Sequence, residues 1–323
     1  MIALLGATGY TGKLVAAELA RRNVPHRLGG RNREKLAAVP SDGERFVLDV
    51  GESARLDVFL DGVDVLISTV GPFQRLGMPV VEAAVRNGVG YVDSTGEQEF
   101  ITEVYERFAD ADVPLVPGCG FDFIPGDLSA AVAMADLGGP TNEVAVHTAA
   151  MTIPSRGTAL TTVEMADMLA VDVRARRVPF PDRVRTAVEV PFGDVPLARH
   201  AQGAHVVTTL VIPPVLASVV RRLPPLLSRL GPLIERLPEG PPEAVRGRAR
   251  FHILAEAIGA AGRRAVYCEG RDVYGLTARF LVEAAQRVAG KGAMAPAEAL
   301  DPEPFLQAVT GDDDRGAFTW RRV

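Results

Sequence analysis

Gly6, Gly9 and Gly12 stand at the head of the chain with two residues between each pair, after the apolar run Ile2-Ala3-Leu4-Leu5 and before Lys13-Leu14-Val15. The order reads as strand, tight turn, helix. The first glycine permits the turn. The second lets a phosphate approach the backbone, and the third lets the helix pack close to its strand. The N–H groups and dipole of the helix N-terminus then hold an anion. Gly6, Thr8, Gly9, Tyr10, Thr11 and Gly12 are therefore candidate contacts to a dinucleotide pyrophosphate. An ordinary glycine-rich β–α turn is the plain alternative.

A second strand ends at Leu28-Gly29-Gly30-Arg31. Enzymes that use NAD keep an acidic residue near this point for the adenosine ribose hydroxyls. Here Gly30 holds the place and Arg31, Asn32 and Arg33 follow. A carboxylate would repel the 2′-phosphate of NADP, whereas a guanidinium pairs with it. The expected cofactor is NADP(H), with Arg31 as the main contact and Asn32 and Arg33 as helpers. Arg33 and Lys35 read equally as the solvated face of a helix over 32–38. Asp49, at the end of a third strand, belongs either beside the adenine or at the cap of a helix over 52–60. Thr69, Val70, Gly71 and Pro72, leaving a fourth strand, are expected beside the nicotinamide ribose.

Hydride transfer needs a polarised acceptor and a proton source. The candidate catalytic residues are Tyr91, Cys119, Asp122 and Arg156. Tyr91 lies within a strand, where a ring serves the core as readily as the chemistry. Asp93 and Glu97 flank a polar turn and suit capping or ribose contact as well as acid–base work. Cys119 sits between two glycines, Asp122 could cap a helix, and His147 falls in a strand. Arg156, between Ser155 and Thr158, would anchor substrate. No Tyr-x-x-x-Lys pair of the short-chain dehydrogenase type occurs, and the lysines are Lys13, Lys35 and Lys291.

These residues need a frame. Apolar strands at 63–72, 90–93 and 114–117 alternate with helices, which predicts an α/β fold of Rossmann type with a doubly wound parallel sheet. This NADP-binding domain is expected over 1–125, with 272–323 returning to it. Residues 126–271 form an α+β substrate or dimerisation domain with a mostly antiparallel sheet, including a hairpin of 250–258 with 264–270. Leu276, Phe280, Leu281, Ala284 and Val288 give one apolar helix face. Asp312-Asp313-Asp314 reads as a solvated turn.

Composition bounds the function. The chain has 323 residues, 47% of them hydrophobic and 23% charged, which is ordinary for a globular protein with a sizeable core. A net charge of -5 argues against a general nucleic-acid binder. Two cysteines, Cys119 and Cys268, fit a reducing compartment and give no metal-type pairing. A cytoplasmic protein without leader or transmembrane segment is expected. The apolar stretch 204–237 is too short and too broken by proline to span a membrane. It reads as core or as a lipophilic surface for a substrate or partner. The oligomeric state stays open, a homodimer among the options.

Several motifs together resemble the saccharopine dehydrogenase-like oxidoreductases. They are Gly6 to Gly12 with Gly30-Arg31, then Val70-Gly71-Pro72-Phe73 with Gly77-Met78-Pro79, then Tyr91 to Glu97, then Gly118 to Leu128. Ser155-x-Gly157-Thr158, Gly240-Pro241-Pro242 and Tyr274-Gly275-x-Thr277-Ala278 extend the likeness towards the trans-acting enoyl reductases of mycobacterial lipid synthesis. The resemblance implies an NADPH-dependent reductase acting on a C=C, C=O or C=N bond of a small, polyketide-type or lipid-type substrate, apolar or carrier-bound. The other reading is a non-catalytic NADP(H)-binding redox sensor of NmrA type.

Overall fold

The computed structural model describes residues 1–150, 153–159, 174–190, 194–211, 238–313 and 316–323. They fall into two units, Met1–Phe121 with Tyr274–Leu300, and Asp122–Val273 with Asp301–Val323.

In the first unit, strands β1 (Ile2–Leu5), β2 (His26–Gly30), β3 (Glu44–Val47), β4 (Val65–Ser68), β5 (Gly90–Asp93) and β6 (Pro114–Val116) alternate with helices α1 (Tyr10–Arg21), α2 (Arg33–Ala37), α3 (Ser53–Leu60), α4 (Phe73–Leu76), α5 (Met78–Arg86) and α6 (Gln98–Arg107). All four residues of β1 and of β5 are buried, as strands covered on both faces must be. The sheet is parallel, in the order β3-β2-β1-β4-β5-β6, the doubly wound arrangement. The return segment adds most of α10 (Val273–Arg287), then β13 (Gly292–Ala293) and α11 (Pro296–Ala299). Strand β13 joins the sheet beyond β6.

The second unit holds α7 (Ile124–Leu137), β7 (Thr141–Ala150), β8 (Ala175–Pro179), β9 (Val184–Glu189), α8 (Asp194–His200), β10 (His205–Leu210), α9 (Glu243–Arg246), β11 (Arg250–Gly259), β12 (Gly262–Arg271), α12 (Pro302–Ala308), β14 (Gly311–Asp313) and β15 (Gly316–Arg322). Its sheet runs β14-β15-β12-β11-β7-β10-β9-β8. Among the described residues only the β7–β10 pair is parallel, so the sheet is mostly antiparallel. Ala130 of α7, Val144, Leu197, Ala201 and Ala255 make one buried cluster. Val178, Phe180, Ala187, Leu254, Ala265 and Tyr267 make another. The neighbours Leu254 and Ala255 contribute one to each, as the alternation of a strand requires.

The end of the chain departs from the sequence reading. Residues 301–323 lie in the second unit, not with the nucleotide domain. The reason is β15, which pairs with β12 from Val266↔Arg322 to Arg271↔Ala317. Phe318 is fully buried there and stacks on Phe251. Residues 311–313, read as part of a turn, form β14. Of the helix expected over 158–170, residues 158–159 are helical and 160–170 lie outside the described residues, as do residues 212–237 of the apolar stretch; 205–210 of that stretch is β10. Among the described residues, no helix is long and apolar enough to cross a membrane.

Candidate functional site

The β1–α1 loop is held from three sides. The amides of Gly6 and Ala7 donate to Gly29 O at 3.0 and 3.1 Å, and Gly9 N donates to Gly6 O at 3.0 Å. Gly6 takes φ +88°, which favours glycine. At Gly12 an added Cβ would lie 2.1 Å from Gly6 O, so only glycine lets α1 start this close to its own loop. Gly9 is the N-cap of α1 and provides no side-chain acceptor. The first-turn amides of Thr11 and Gly12 have no acceptor within their helix, as at any helix N-terminus. Thr69 binds the exit of β4 to this loop: its hydroxyl lies 3.2 Å from both Leu5 O and Gly6 O. Val70 is half-buried and follows it into the cis Gly71–Pro72 bond.

Arg31 leaves the end of β2 with its side chain 74% exposed. Its guanidinium comes within 3.8 Å of the Asp49 carboxylate, which is itself 48% exposed. An exposed pair at that distance is weak and yields readily to a phosphate. Asn32 has a structural task. Its side chain caps α2 by accepting from Lys35 N at 2.8 Å, which commits that oxygen. Asp49 takes up the turn before α3, accepting from Gly51 N at 3.0 Å.

The polar end of β5 is a scaffold. Asp93 is fully buried and accepts from Tyr91 Oη at 2.6 Å, Thr95 N at 2.9 Å and Gly118 N at 2.8 Å. Burial still pushes its carboxyl up to about 7, against the pull of these donors. The same burial, with the Asp93 carboxylate beside it, holds the Tyr91 phenol well above its ordinary range. Cys119 joins this cluster: its amide donates to Asp93 O at 2.7 Å and its thiol to Val116 O at 3.3 Å, and the residue is fully buried. Glu97 accepts from Phe73 N at 2.9 Å and Gln74 N at 2.7 Å, capping α4. Tyr91 and Cys119 are thus together, but inside the core.

The other two candidates belong to the second unit. Asp122 is exposed and leaves α7 to begin after Phe123, so it is not the helix cap; its crowded surroundings push the carboxyl up to about 6. Arg156 is half-buried and its amide donates to Glu239 O at 3.1 Å. A small recess in this unit is lined by Asp122, Asp127, Thr148, Leu197 and Thr208 among others. His147, expected to be packed or paired, is paired, and the His200 pair escaped the sequence reading. His147 lies between Thr209 Oγ1 at 2.9 Å and Glu256 Oε2 at 2.8 Å, and His200 Nε2 lies 2.6 Å from Asp127 Oδ1. The only signal in the sequence was a histidine within an apolar strand, which gives no partner.

Residues 2–116 match the family model described as saccharopine dehydrogenase NADP binding domain. Over those residues the chain is similar to that family. A trans-acting enoyl reductase of Mycobacterium ulcerans is 38% identical over 141 residues, covering 40% of this chain and 34% of that protein. A human saccharopine dehydrogenase-like oxidoreductase is 32% identical over 152 residues, covering 39% of this chain and 35% of that protein. The likeness therefore spans about a third of the length of these relatives. In fold, apo saccharopine dehydrogenase (L-Glu forming) of Saccharomyces cerevisiae matches with a TM-score of 0.68 at 14% identity, covering 100% of this chain and 99% of that one. The cofactor type of the family is NADP(H), and the open glycine loop with the exposed Arg31 fits it.

Proposed function

We propose that this chain is an NADPH-dependent reductase whose substrate carries a polarised C=C, C=O or C=N bond, with a 2-enoyl thioester of lipid or polyketide type as the leading class. The carrying observation is the open glycine loop beside an exposed, weakly paired guanidinium at the end of β2. The names of the relatives support the reaction class. NADPH supplies a hydride when bound, and the product gains one proton besides. The loop amides hold the pyrophosphate, Arg31 takes the 2′-phosphate, and Thr69 to Pro72 border the nicotinamide ribose. Tyr91 and Cys119 are buried and bonded, which leaves Asp122, the exposed carboxyl among the candidates, as the candidate proton source. Arg156 is the candidate substrate anchor.

Incubation with NADPH deuterated at C4 and a 2-enoyl thioester tests the reading. Deuterium from one face of the nicotinamide should appear at the β-carbon of the product. Tight NADPH binding without transfer to enoyl, carbonyl or imine acceptors would favour the sensor reading, to which the burial of Tyr91 and Cys119 lends weight.

A further inference from the structure

The motif Tyr274-Gly275-x-Thr277 begins α10 and has no part in the site above. Its surroundings give it one. The Tyr274 ring meets the Tyr10 ring edge to face, with centroids 5.1 Å apart and planes at 85°. Tyr10 is the first residue of α1 and lies inside the glycine loop. Thr277 Oγ1 accepts from Phe121 N at 3.2 Å, one turn further along the same helix. The segment thus touches the loop after β1 and the loop after β6, both at the carboxyl edge of the parallel sheet, where ligands of such folds bind.

The far ends of the two helices are joined as well. Arg22, just past α1, bonds the Glu283 carboxylate and lies 3.1 Å from Gln286 Oε1, both near the end of α10. Start meets start and end meets end, so α1 and α10 run in the same direction. Glu18 of α1 anchors Arg22 from the other side at 2.7 Å. An α1 fixed at both ends cannot slide along its axis, and its N-terminus carries the phosphate-binding amides.

We propose that Tyr274 is a positioning residue for the dinucleotide: through Tyr10 it fixes the glycine loop, and so supports the pyrophosphate that NADPH and NADH share. This rests on nucleotide binding by the first unit. Arg31 distinguishes the two cofactors; Tyr274 serves both. A perpendicular ring pair contributes enough to change a dissociation constant by about 3–10-fold.

The test is a set of NADPH and NADH titrations on the full chain, with wild type, Tyr274→Ala, Tyr274→Leu, Tyr274→Phe, Tyr10→Ala and the double variant Tyr10→Ala/Tyr274→Ala. The expected result is a rise in Kd of about 3–10-fold with Tyr274→Ala, equal for NADPH and NADH. Tyr274→Phe, which keeps the ring, should stay near wild type. The double variant should be no weaker than either single one, because both remove one contact. Tyr274→Leu keeps apolar volume without the ring; should the alanine variant fail to fold, the leucine variant decides. Unfolding midpoints run alongside, since a purely structural role would lower them and leave the Kd of folded protein unmoved. An unchanged Kd in folded Tyr274→Leu, a loss confined to NADPH, or fully additive effects of Tyr10 and Tyr274 would overturn the proposal. A wild type that binds neither nucleotide would instead overturn the reading beneath it.

Discussion

Arg31 of the first unit and His147 of the second stand in opposite settings. At the edge of the first unit, Arg31 is 74% exposed and meets only a distant, half-exposed carboxylate. In the second unit, His147 is 2% exposed and held by Thr209 and Glu256, and Glu256 is held in turn by Arg263. His200 and Asp127 pair off, as do Arg246 and Asp272. A group engaged on both sides is costly to move and contributes to one defined packing. A group left open at a loop edge is ready for a ligand. The difference warns against reading chemistry from residue type alone, because His147 of the second unit and the Tyr91–Asp93–Cys119 cluster of the first are both internal scaffold.

The largest expected effect concerns the sign of pH dependence. Asp93 has a folded pKa raised to about 7 by burial, above the unfolded value of 3.8. The folded state therefore holds the extra proton between those values, and stability falls as pH rises through that window, by about 4 kcal/mol in all. Glu256 is the opposite case. Its pKa is lowered by hydrogen bonds from His147 and Arg263, which prevail over desolvation. Its contribution is present above the unfolded carboxylate value and is lost as pH falls through the folded one. Urea unfolding at a series of pH values should show the decline from pH 4 to 7 shrink in Asp93→Asn, leaving the part due to Asp122, and the acid-side loss shrink in Glu256→Gln. Profiles unchanged by both substitutions would contradict the contrast.

Next in size is Gly12→Val, which drives a side chain into Gly6 O. It should cost about 3 kcal/mol of stability and remove NADPH binding, read by urea unfolding and by titration. Glu256→Gln sharpens the same comparison from the other unit. A loss of about 2 kcal/mol, with the Kd for NADPH unchanged, marks a buried pair with no ligand role. Movement of that Kd would place the His147 network in the site.

The sequence made the first unit readable because parallel strands buried on both faces are continuous apolar runs, as at Leu66-Ile67 and Tyr91-Val92. The glycine spacing was legible in the loop after β1, since backbone demands at Gly6 and Gly12 leave a mark in residue type. The two-residue strand β13 left none, being too short for any period. The placement of 301–323 was misread because β15 owes its identity to a partner strand, β12, that is distant in the chain. Capping was among the readings of Glu97 and Asp93, but neither the helix that Glu97 caps, nor the cap formed by Asn32, nor the hub at Asp93 was legible. Their partners are backbone amides, which no residue pattern reveals. Tyr274 was visible as a motif, and its contact with Tyr10 only in three dimensions.

The central claim is that the first unit selects NADP(H) through Arg31, and parallel titrations of wild type and Arg31→Ala with NADPH and NADH test it most directly. The account predicts that wild type binds NADPH more tightly than NADH, and that Arg31→Ala weakens NADPH by about 10–100-fold while leaving NADH nearly unchanged, as expected for a lost charge-assisted bond to phosphate. Equal affinity of wild type for the two nucleotides, or an Arg31→Ala variant that keeps the preference, would contradict it.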